Sequence, residues 1–225
     1  MDSRITILHS DAAVSVLTKA PGLPSQPDKS GEESALSLAE SILGRALHPI
    51  HRIDRPASGL LLLGGDSDAA ARLSALMQDA SIERRYWAIV EGTSLAESGE
   101  LASRIAFDRR RNKSFVAANG KPARLRYTVR TRGERYTLLE VVLDTGRHHQ
   151  IRVQLAEAGA PIRGDLKYGA RRSQPGGGIA LHAVALRFPH PFSGEMLSFF
   201  APPPSDSLWD ALASGLRPET ALSDR

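Results

Sequence analysis

The spacing of apolar residues along the chain predicts more strands than helices. Short runs rich in aliphatic and β-branched residues, several bounded by turn residues, are typical of strands. The predicted strands are residues 5–8, 14–17, 60–63, 85–90, 124–130, 136–143, 181–188 and 196–200. Many of them follow one another without a long helix between them. This order predicts an α+β fold with a mixed, mainly antiparallel sheet flanked by helices.

Apolar residues at helical intervals predict a smaller number of helices. The predicted helices are residues 34–43, 67–77, 151–158 and 206–216. Gly44 is placed to end the first helix, and Asp66 or Ser67 is placed to cap the second. The chain has no internal repeat and no long linker, so we expect residues 1–225 to form a single domain.

Composition limits the class of protein further. Of the 225 residues, 41% are hydrophobic and 24% are charged, which is ordinary for a globular protein with its own core. The chain has no cysteine, which excludes disulfides and thiolate metal sites. The N-terminus lacks the apolar stretch of a signal peptide, and the run Leu60–Leu63 is too short to span a bilayer. We therefore expect a soluble, cytoplasmic protein with no membrane partner.

Charge is distributed unevenly along the chain. Residues 104–135 hold eleven basic and two acidic residues, a balance of +9, so with a total of +4 the remainder carries −5. One interpretation is a surface for a polyanionic partner. The other is a solvated basic surface that keeps the protein soluble, and charge alone leaves both open.

The segment HRIDRPASG, residues 51–59, has the densest set of chemically useful side chains. It lies between a predicted helix and a predicted strand, and Pro56 favours an extended conformation just before it. Asp54 stands between Arg52 and Arg55, and nearby cations favour the ionised carboxylate, which can act as a nucleophile or base. The alternative is that Asp54 caps a turn while the two arginines point into water.

A second candidate is Arg152, which follows Ile151 at the edge of the predicted apolar stripe of the third helix. A half-buried guanidinium there would need a carboxylate partner, because an unpaired buried charge is costly. Asp54, Asp144 and Asp165 are all available as that partner. The alternative is an exposed arginine on an amphipathic helix. Tyr86, on a predicted strand, is the third candidate, and its alternative is an ordinary core tyrosine.

Other chemistries have weaker support in the sequence. His51, Asp54, His148 and His149 are imaginable as the metal site of a phosphohydrolase. The basic residues beside them are Arg52, Arg55, Arg147 and Arg152. Their charge would repel a dication, and no HExxH, Walker or GxGxxG motif is present, so we expect no metal site. Aromatic residues make up only 5%, which gives an open stacking platform of the RRM type little support.

Several ordered motifs match a known family. HRIDRPASGLLLLG, residues 51–64, resembles the HRLDxxTSGLLLxA signature of the RluA-type RNA pseudouridine synthases. Further segments are similar and recur in the same order: ILHSDAAVSVLTKAPGLPSQP, RRYWAIVEG, KPARLRYTV, LDTGRHHQIRVQLAEAGAPIRGDLKYG and LHAVALRFPHPFSGEMLSFFAPPP. The resemblance covers about residues 5–204.

The chain departs from the family pattern at a few positions. The turn at 19–22 exchanges alanine and proline, Gln154 stands where histidine is usual, and Leu166–Lys167 replaces a common Pro-Leu pair. None of these changes touches Asp54, Tyr86 or Arg152. The chain resembles the short form of the family, which has the catalytic domain alone and no separate S4-like RNA-binding domain.

The resemblance implies roles for individual residues. Asp54 matches the catalytic aspartate, and Arg152 matches the arginine that pairs with it. Tyr86 matches the tyrosine that packs against the target base and is proposed to help remove the C5 proton. Arg52 matches an arginine near the flipped nucleotide. The remaining candidate substrate-binding residues are Arg55, Arg147, Gln150, Ile151, Arg109, Arg110 and Arg111.

The resemblance also implies the reaction. We expect cofactor-free isomerisation of uridine to pseudouridine in structured RNA, either rRNA or tRNA, with RNA and not DNA as the partner. We expect a monomer. The competing hypothesis is a noncatalytic RNA-binding module on the same scaffold.

Overall fold

The computed structural model describes residues 3–174 and 177–217. Its strands are β1 (Ile5–Ser10), β2 (Val14–Lys19), β3 (His48–Pro49), β4 (Ser58–Gly64), β5 (Glu83–Glu91), β6 (Ser98–Asp108), β7 (Lys113–Val116), β8 (Lys121–Arg132), β9 (Tyr136–Leu143), β10 (Leu181–Pro189) and β11 (Met196–Phe200). Its helices are α1 (Ala35–Leu43), α2 (Ser67–Gln78), α3 (Gln150–Glu157) and α4 (Ser207–Ala213), with a 3₁₀ turn at Leu166–Tyr168.

All the described strands belong to one sheet. The order along it is β1-β2-β4-β10-β5-β9-β8-β6-β7, with β3 paired to β4 and β11 paired to β10. Only the β4–β10 pairing is parallel among these strands. The predicted α+β class with a mixed, mainly antiparallel sheet is therefore confirmed.

Strand β4 is buried along its whole length because both of its faces are covered. Leu60 and Leu62 belong to the main core, while Leu61 and Leu63 belong to a second core beneath α1. A continuous apolar run is the pattern expected of such a strand. Gly59 allows β4 to approach β10, since a Cβ atom there would lie 2.3 Å from the carbonyl oxygen of Ala183.

The ends of the first two helices follow from local chemistry. Ser34 caps α1 and forms a capping box with Ser37, and Gly44 ends the helix in the left-handed region at φ 66°. The Asp66 side chain accepts a hydrogen bond from the Ala69 amide at the start of α2. The predictions at Gly44 and Asp66 are confirmed. None of the helices in the described part of the chain has the length and apolar character that crossing a membrane requires.

Two strands of the basic segment were not predicted. β6 and β7 form an antiparallel hairpin, and β6 continues the sheet through its pairing with β8. Side chains on both faces of β6 are largely exposed or partly exposed, so the strand lacks an apolar face that would reveal it in the sequence. Arg109, Arg110 and Arg111 lie in the turn of the hairpin, and Lys113 begins β7.

Helix α3 packs against this hairpin and completes a small third core. Val153 of α3 belongs to this core together with Ile105, Ala123 and Tyr168. His149, which immediately precedes the helix, adopts the left-handed conformation with φ 54°. A positive φ is uncommon for a residue with a side chain, and such strained positions occur often at functional sites. The packing of α3 fixes the position of its first turn.

Candidate active site

The loop that carries Asp54 is held by hydrogen bonds to its backbone. The Ala57 amide donates to the Asp54 carbonyl at 2.9 Å and closes a turn. The amides of Gly22 and Ile179 donate to the carbonyls that follow Asp54 in the loop. Ser25 both donates to the carbonyl of Ile53 and accepts from its amide. These contacts fix the backbone around Asp54 and leave its carboxylate uninvolved.

Lys19 reinforces the same loop from inside the protein. Its ammonium group is almost completely buried and donates to the carbonyls of Ala20, Arg55 and Ala57. Burial lowers the pKa of Lys19 to about 7, and the nearby charge of Asp54 raises it. Only the charged form has three N–H donors for three carbonyls. Lys19 therefore holds the backbone of the Asp54 loop in place.

The Asp54 carboxylate meets the guanidinium of Arg152 at the start of α3. Arg152 Nη1 lies 3.2 Å from Asp54 Oδ2, and its Nε and Nη2 donate to the two oxygens of Asp165 at 2.7 and 2.8 Å. Arg152 and Asp165 are buried, while the Asp54 side chain keeps 16% of its surface exposed. Asp165 fixes the guanidinium, and the guanidinium in turn orients Asp54.

This geometry decides among the partners that the sequence left open for Arg152. Asp54 and Asp165 both bind it, whereas Asp144 pairs with Arg124 and Arg126 instead. The expectation that Asp54 lies between two neighbouring guanidiniums does not describe its contacts. Among the described residues, the arginine in ion-pair contact with its carboxylate is Arg152.

Tyr86 lies on β5 and faces the same cavity as Asp54. The side chain is buried, and this burial raises the pKa of its phenol, while the charge of Arg84 opposes the rise. Tyr86 is consequently an uncharged phenol at neutral pH. Tyr86 lines the cavity together with Arg84 of the same strand.

His149 completes the surroundings of Asp54. Its Nε2 is 3.8 Å from Asp54 Oδ2, and its Nδ1 is 2.8 Å from the Tyr168 hydroxyl. Burial, followed by the charge of Arg152, lowers the pKa of His149 to about 2. The ring is therefore neutral and adds no positive charge beside the carboxylate.

These groups surround an open cavity with a volume of about 570 Å³. Its size falls in the range typical of small-molecule sites and is enough for a nucleotide. Exposed Arg52 and Arg147 lie at its edge, and Ile151 contributes an apolar surface. A cavity that combines a partly exposed carboxylate, an apolar wall and cations at its edge suits an anionic ligand with a flat ring.

The other predicted substrate-binding residues differ in position. Gln150 lines the cavity, but its amide is occupied by Thr145, by the Arg147 amide and by the Arg124 carbonyl. Arg55 does not line the cavity, and its guanidinium binds Glu32 and the Gly22 carbonyl. The three arginines of the hairpin turn lie outside the cavity as well.

Three groups at the site were not identified from the sequence. Asp165 was named only as one possible partner of Arg152, although it is the main one. Arg84 lines the cavity, and its buried Nε has no hydrogen-bond partner among the described residues. A signal was present, because Arg84 and Tyr86 are two apart on a strand and must share a face. His149 was considered only as a possible metal ligand, and no signal in the sequence indicated its contact with Asp54.

The described side chains that could bind a metal ion do not form a cluster. Within residues 3–174 and 177–217, no three histidine, aspartate or glutamate side chains are arranged so that they could hold a metal ion. The cation that the Asp54 carboxylate meets is the guanidinium of Arg152.

Comparison with known proteins identifies the family. Residues 13–157 match the family described as RNA pseudouridylate synthase. The chain belongs to this family. The RluA-type resemblance is thus confirmed, and the matched region includes Asp54, Tyr86 and Arg152.

Several curated relatives are similar in sequence. An uncharacterized RNA pseudouridine synthase, YlyB, of Bacillus subtilis is 39% identical over 70% of this chain and 52% of its own length. Ribosomal large subunit pseudouridine synthase D of Vibrio parahaemolyticus is 36% identical over 76% of this chain and 56% of its own. The protein of the same name from Xanthomonas campestris is 32% identical over 98% and 72%. The chain therefore spans about half the length of the first of these relatives.

Two solved human structures have a similar fold. Human RNA Pseudouridylate Synthase Domain Containing 1 superposes with a TM-score of 0.77 at 20% identity, covering 92% of this chain and 87% of the other. Human RNA Pseudouridylate Synthase Domain Containing 4 gives 0.70 at 24% identity, with 88% of each chain covered. The RNA pseudouridylate synthase domain thus has the same fold at low sequence identity.

Proposed function

We propose that this chain isomerises uridine to pseudouridine in structured RNA, with Asp54 as the reacting carboxylate and without a cofactor. The observation that carries the proposal is the Asp54 carboxylate, which is oriented by Arg152 and lines a cavity that Tyr86 also lines. Membership in the RNA pseudouridylate synthase family supports the same reaction.

The reaction exchanges one glycosidic bond for another. The N1–C1′ bond of uridine breaks, the base rotates, and a C5–C1′ bond forms while the C5 proton is lost and N1 gains a proton. A paired or stacked uridine must first flip out of its helix, which costs a few kcal/mol. Asp54 is the nucleophile or base that starts glycosidic cleavage. The bond changes balance without an oxidant, a hydrolytic water or an external group.

The neighbours of Asp54 have separate roles in this scheme. Arg152 holds the carboxylate toward the cavity and is itself fixed by Asp165. Tyr86 packs against the target base as an uncharged phenol, and the resemblance adds a role in removing the C5 proton. This protonation state favours packing as its first role, because a phenolate would be needed for a strong base.

Binding residues follow from position and charge. Arg52 and Arg147 at the edge of the cavity are placed to neutralise phosphates beside the flipped nucleotide, and Ile151 contacts the nucleotide through its apolar surface. Gln150 contributes by shaping the loop, since its amide is already occupied. Arg55 is the weakest of these predictions because it is paired with Glu32. The hairpin turn with Arg109, Arg110 and Arg111 supplies phosphate contacts farther along the strand.

The remaining predictions concern the protein as a whole. We propose rRNA or tRNA as the substrate, and the two relatives named for the ribosomal large subunit favour rRNA. One continuous sheet supports a single catalytic domain over residues 1–225. A monomeric state, a cytoplasmic location, and selectivity for RNA over DNA stay predictions.

The test is release of tritium from RNA transcripts that carry C5-tritiated uridine. We expect release into water that matches the amount of pseudouridine found after digestion to nucleosides, and we expect it to be insensitive to a chelator. RNA that binds the protein without any tritium release would instead support the noncatalytic RNA-binding module.

A further inference from the structure

A row of aromatic rings leads from the Asp54 carboxylate to the surface of the β6–β7 hairpin. His149, whose Nε2 lies 3.8 Å from Asp54, stacks on His148 with ring centroids 3.7 Å apart and an angle of 25°. His148 in turn meets the ring of Phe107 at 4.2 Å and 52°. Three adjacent rings thus connect the reacting carboxylate with a strand of the basic hairpin.

The row is fixed along its length. The Ser114 hydroxyl on β7 contacts both His148 Nδ1 and the His148 carbonyl, at 3.0 and 2.6 Å. The Tyr168 hydroxyl accepts from the Ser114 amide and contacts His149 Nδ1. The hairpin and the loop before α3 are therefore joined by hydrogen bonds as well as by ring contacts. A preorganised surface binds a ligand without a large ordering cost.

The outer end of the row is open. His148 lies between the other two rings in the order of contacts, whereas Phe107 at the outer end is 44% exposed. An exposed phenylalanine that packs on one ring can offer its other face to a second flat ring. Scattered exposed apolar residues are normal, so exposure alone would not indicate a binding role for Phe107. Its location at the outer end of the aromatic row is what indicates that role.

Charge indicates which ligand suits this face. Arg109, Arg110 and Arg111 follow Phe107 within four residues, and Lys113 lies over the Tyr168 ring at 5.1 Å. Asp108 offsets part of this charge, since it accepts from two amides of the turn and lies 3.7 Å from Arg111. An aromatic face beside an excess of cations is the arrangement by which proteins bind unpaired nucleic acid strands. A protein partner would need a complementary surface that is both apolar and acidic, and no feature of the described hairpin indicates such a partner.

We propose that Phe107 stacks an unpaired base of the RNA strand near the flipped uridine, while the arginines of the hairpin turn bind the adjoining phosphates. The proposal rests on the proposed function and extends it to the class of substrate. Bases of a continuous duplex are stacked on each other and cannot present a free face. The preferred substrate is then a loop, bulge or otherwise unpaired strand around the target uridine.

The hairpin provides a matched control. Phe107 pairs with Ser114, and Ala106 pairs with Phe115. Directly paired residues project from the same face of a hairpin, so Phe115 projects from the face opposite Phe107. The two phenylalanines are almost equally exposed, at 44% and 46%. Replacing Phe115 removes the same apolar surface without touching the row.

The experiment measures binding to an unpaired oligoribonucleotide containing one uridine, with 2-aminopurine placed in turn at each neighbouring position. The fluorescence of 2-aminopurine is quenched when it stacks. We expect Phe107→Ala to weaken binding by about 5- to 150-fold, the range for loss of one base–aromatic stack. The quenching at one position should disappear as well. Phe107→Trp should retain both, and Phe115→Ala should behave as wild type.

Several outcomes would overturn the proposal. One is wild-type affinity and quenching in Phe107→Ala, and another is an equal loss in Phe115→Ala, which would indicate a nonspecific apolar effect. Wild-type protein that binds the same sequence as a full duplex equally well would also contradict it. Melting temperatures of all three variants check folding. Tritium release by wild-type protein is scored separately, so failure of the isomerase proposal is distinguishable from failure of the stacking proposal.

Discussion

Two carboxylates, the partly exposed Asp54 and the buried Glu140, lie against opposite faces of the strand β5, and their oxygens differ in how many hydrogen bonds they accept. Tyr86 faces Asp54 and the cavity, and its neighbour Trp87 faces Glu140 on the other side. Glu140 accepts hydrogen bonds from Arg85 at 2.6 Å, from Trp87 at 3.0 Å and from Arg130 at 3.2 Å.

The Asp54 carboxylate accepts fewer hydrogen bonds than Glu140 does. Among the described residues its one hydrogen-bond donor is Arg152 at 3.2 Å, and that guanidinium is mainly engaged by Asp165. Glu140 is 3% exposed, while the Asp54 side chain is 16% exposed and lines the cavity. A carboxylate surrounded by donors contributes to folding, whereas one that is oriented but left partly exposed is available to a substrate.

The largest expected effect on stability is at Arg152. Arg152→Ala would leave Asp165 buried without its guanidinium, which costs roughly 3–5 kcal/mol of unfolding free energy. It would also leave Asp54 unoriented, so turnover should fall with stability. Urea unfolding and tritium release measure the two effects. Arg124→Ala, which breaks an exposed pair with Asp144, is the control and should cost less than about 1 kcal/mol. An unchanged melting temperature in Arg152→Ala would contradict the buried pair.

Glu140→Gln should have the next largest effect, and only on stability. The amide keeps one acceptor oxygen but removes the charge that two guanidiniums face, at a cost of roughly 1–3 kcal/mol. Turnover per folded molecule should equal that of wild type, because the residue is on the far face of the sheet. Loss of turnover in fully folded Glu140→Gln would erase the contrast with Asp54.

Buried histidines should make stability depend on pH. Burial lowers the pKa of His182 to about 4, and both of its ring nitrogens are bonded, to Ser58 and to the Ala201 carbonyl. In the unfolded state His182 is protonated below about pH 6.5, whereas in the folded state it stays neutral down to about pH 4. The free energy of unfolding therefore decreases as the pH falls from 6.5 to 4. The loss should be roughly 2 kcal/mol between pH 7 and pH 5 for this histidine alone.

Urea unfolding of wild type and His182→Gln at both pH values isolates this contribution. The variant should be less stable at pH 7 because it loses a buried bond, but its further loss at pH 5 should be smaller by about 2 kcal/mol. An equal pH dependence in the two proteins would show that His182 does not stay neutral.

The smallest effect on stability is expected from the hairpin arginines, which are exposed. Changing Arg109, Arg110 and Arg111 to alanine should alter unfolding free energy by less than about 0.5 kcal/mol. If all three contact phosphates, RNA binding should weaken and the slope of log affinity against log salt should flatten by roughly two units. Turnover at saturating RNA should fall much less. Unchanged affinity and slope would mean that the strand runs elsewhere.

The sequence predicted those parts of the fold that have a strong local signal. Strand β4 was predicted from a run of four consecutive leucines. Helix α1 was predicted from apolar residues at helical spacing that end at Gly44. β6 and β7 were missed, since exposed strands lack an apolar face and form through pairing with β8. That pairing depends on tertiary structure, which no short window of sequence contains.

The candidate site was predictable to a similar degree. The motif around Asp54 and the resemblance identified Asp54, Tyr86 and Arg152, which do meet at one cavity. The contribution of Asp165 and the aromatic row from His149 to Phe107 were not foreseen. The Arg152–Asp165 pair joins side chains 13 residues apart, and the aromatic row forms only when the loop before α3 meets the hairpin. The pairing of Glu140 with Arg85 and Arg130 on the other face of β5 was not predicted either.

The most direct test of the role of Asp54 is the single-turnover rate of tritium release per folded molecule in Asp54→Asn and in Glu140→Gln. Both changes replace a carboxylate by its amide, but only Asp54 lines the cavity. We predict no detectable release from Asp54→Asn despite wild-type RNA binding and cooperative unfolding, and a wild-type rate from Glu140→Gln. Turnover near the wild-type rate in Asp54→Asn would contradict the role of Asp54 as the reacting carboxylate.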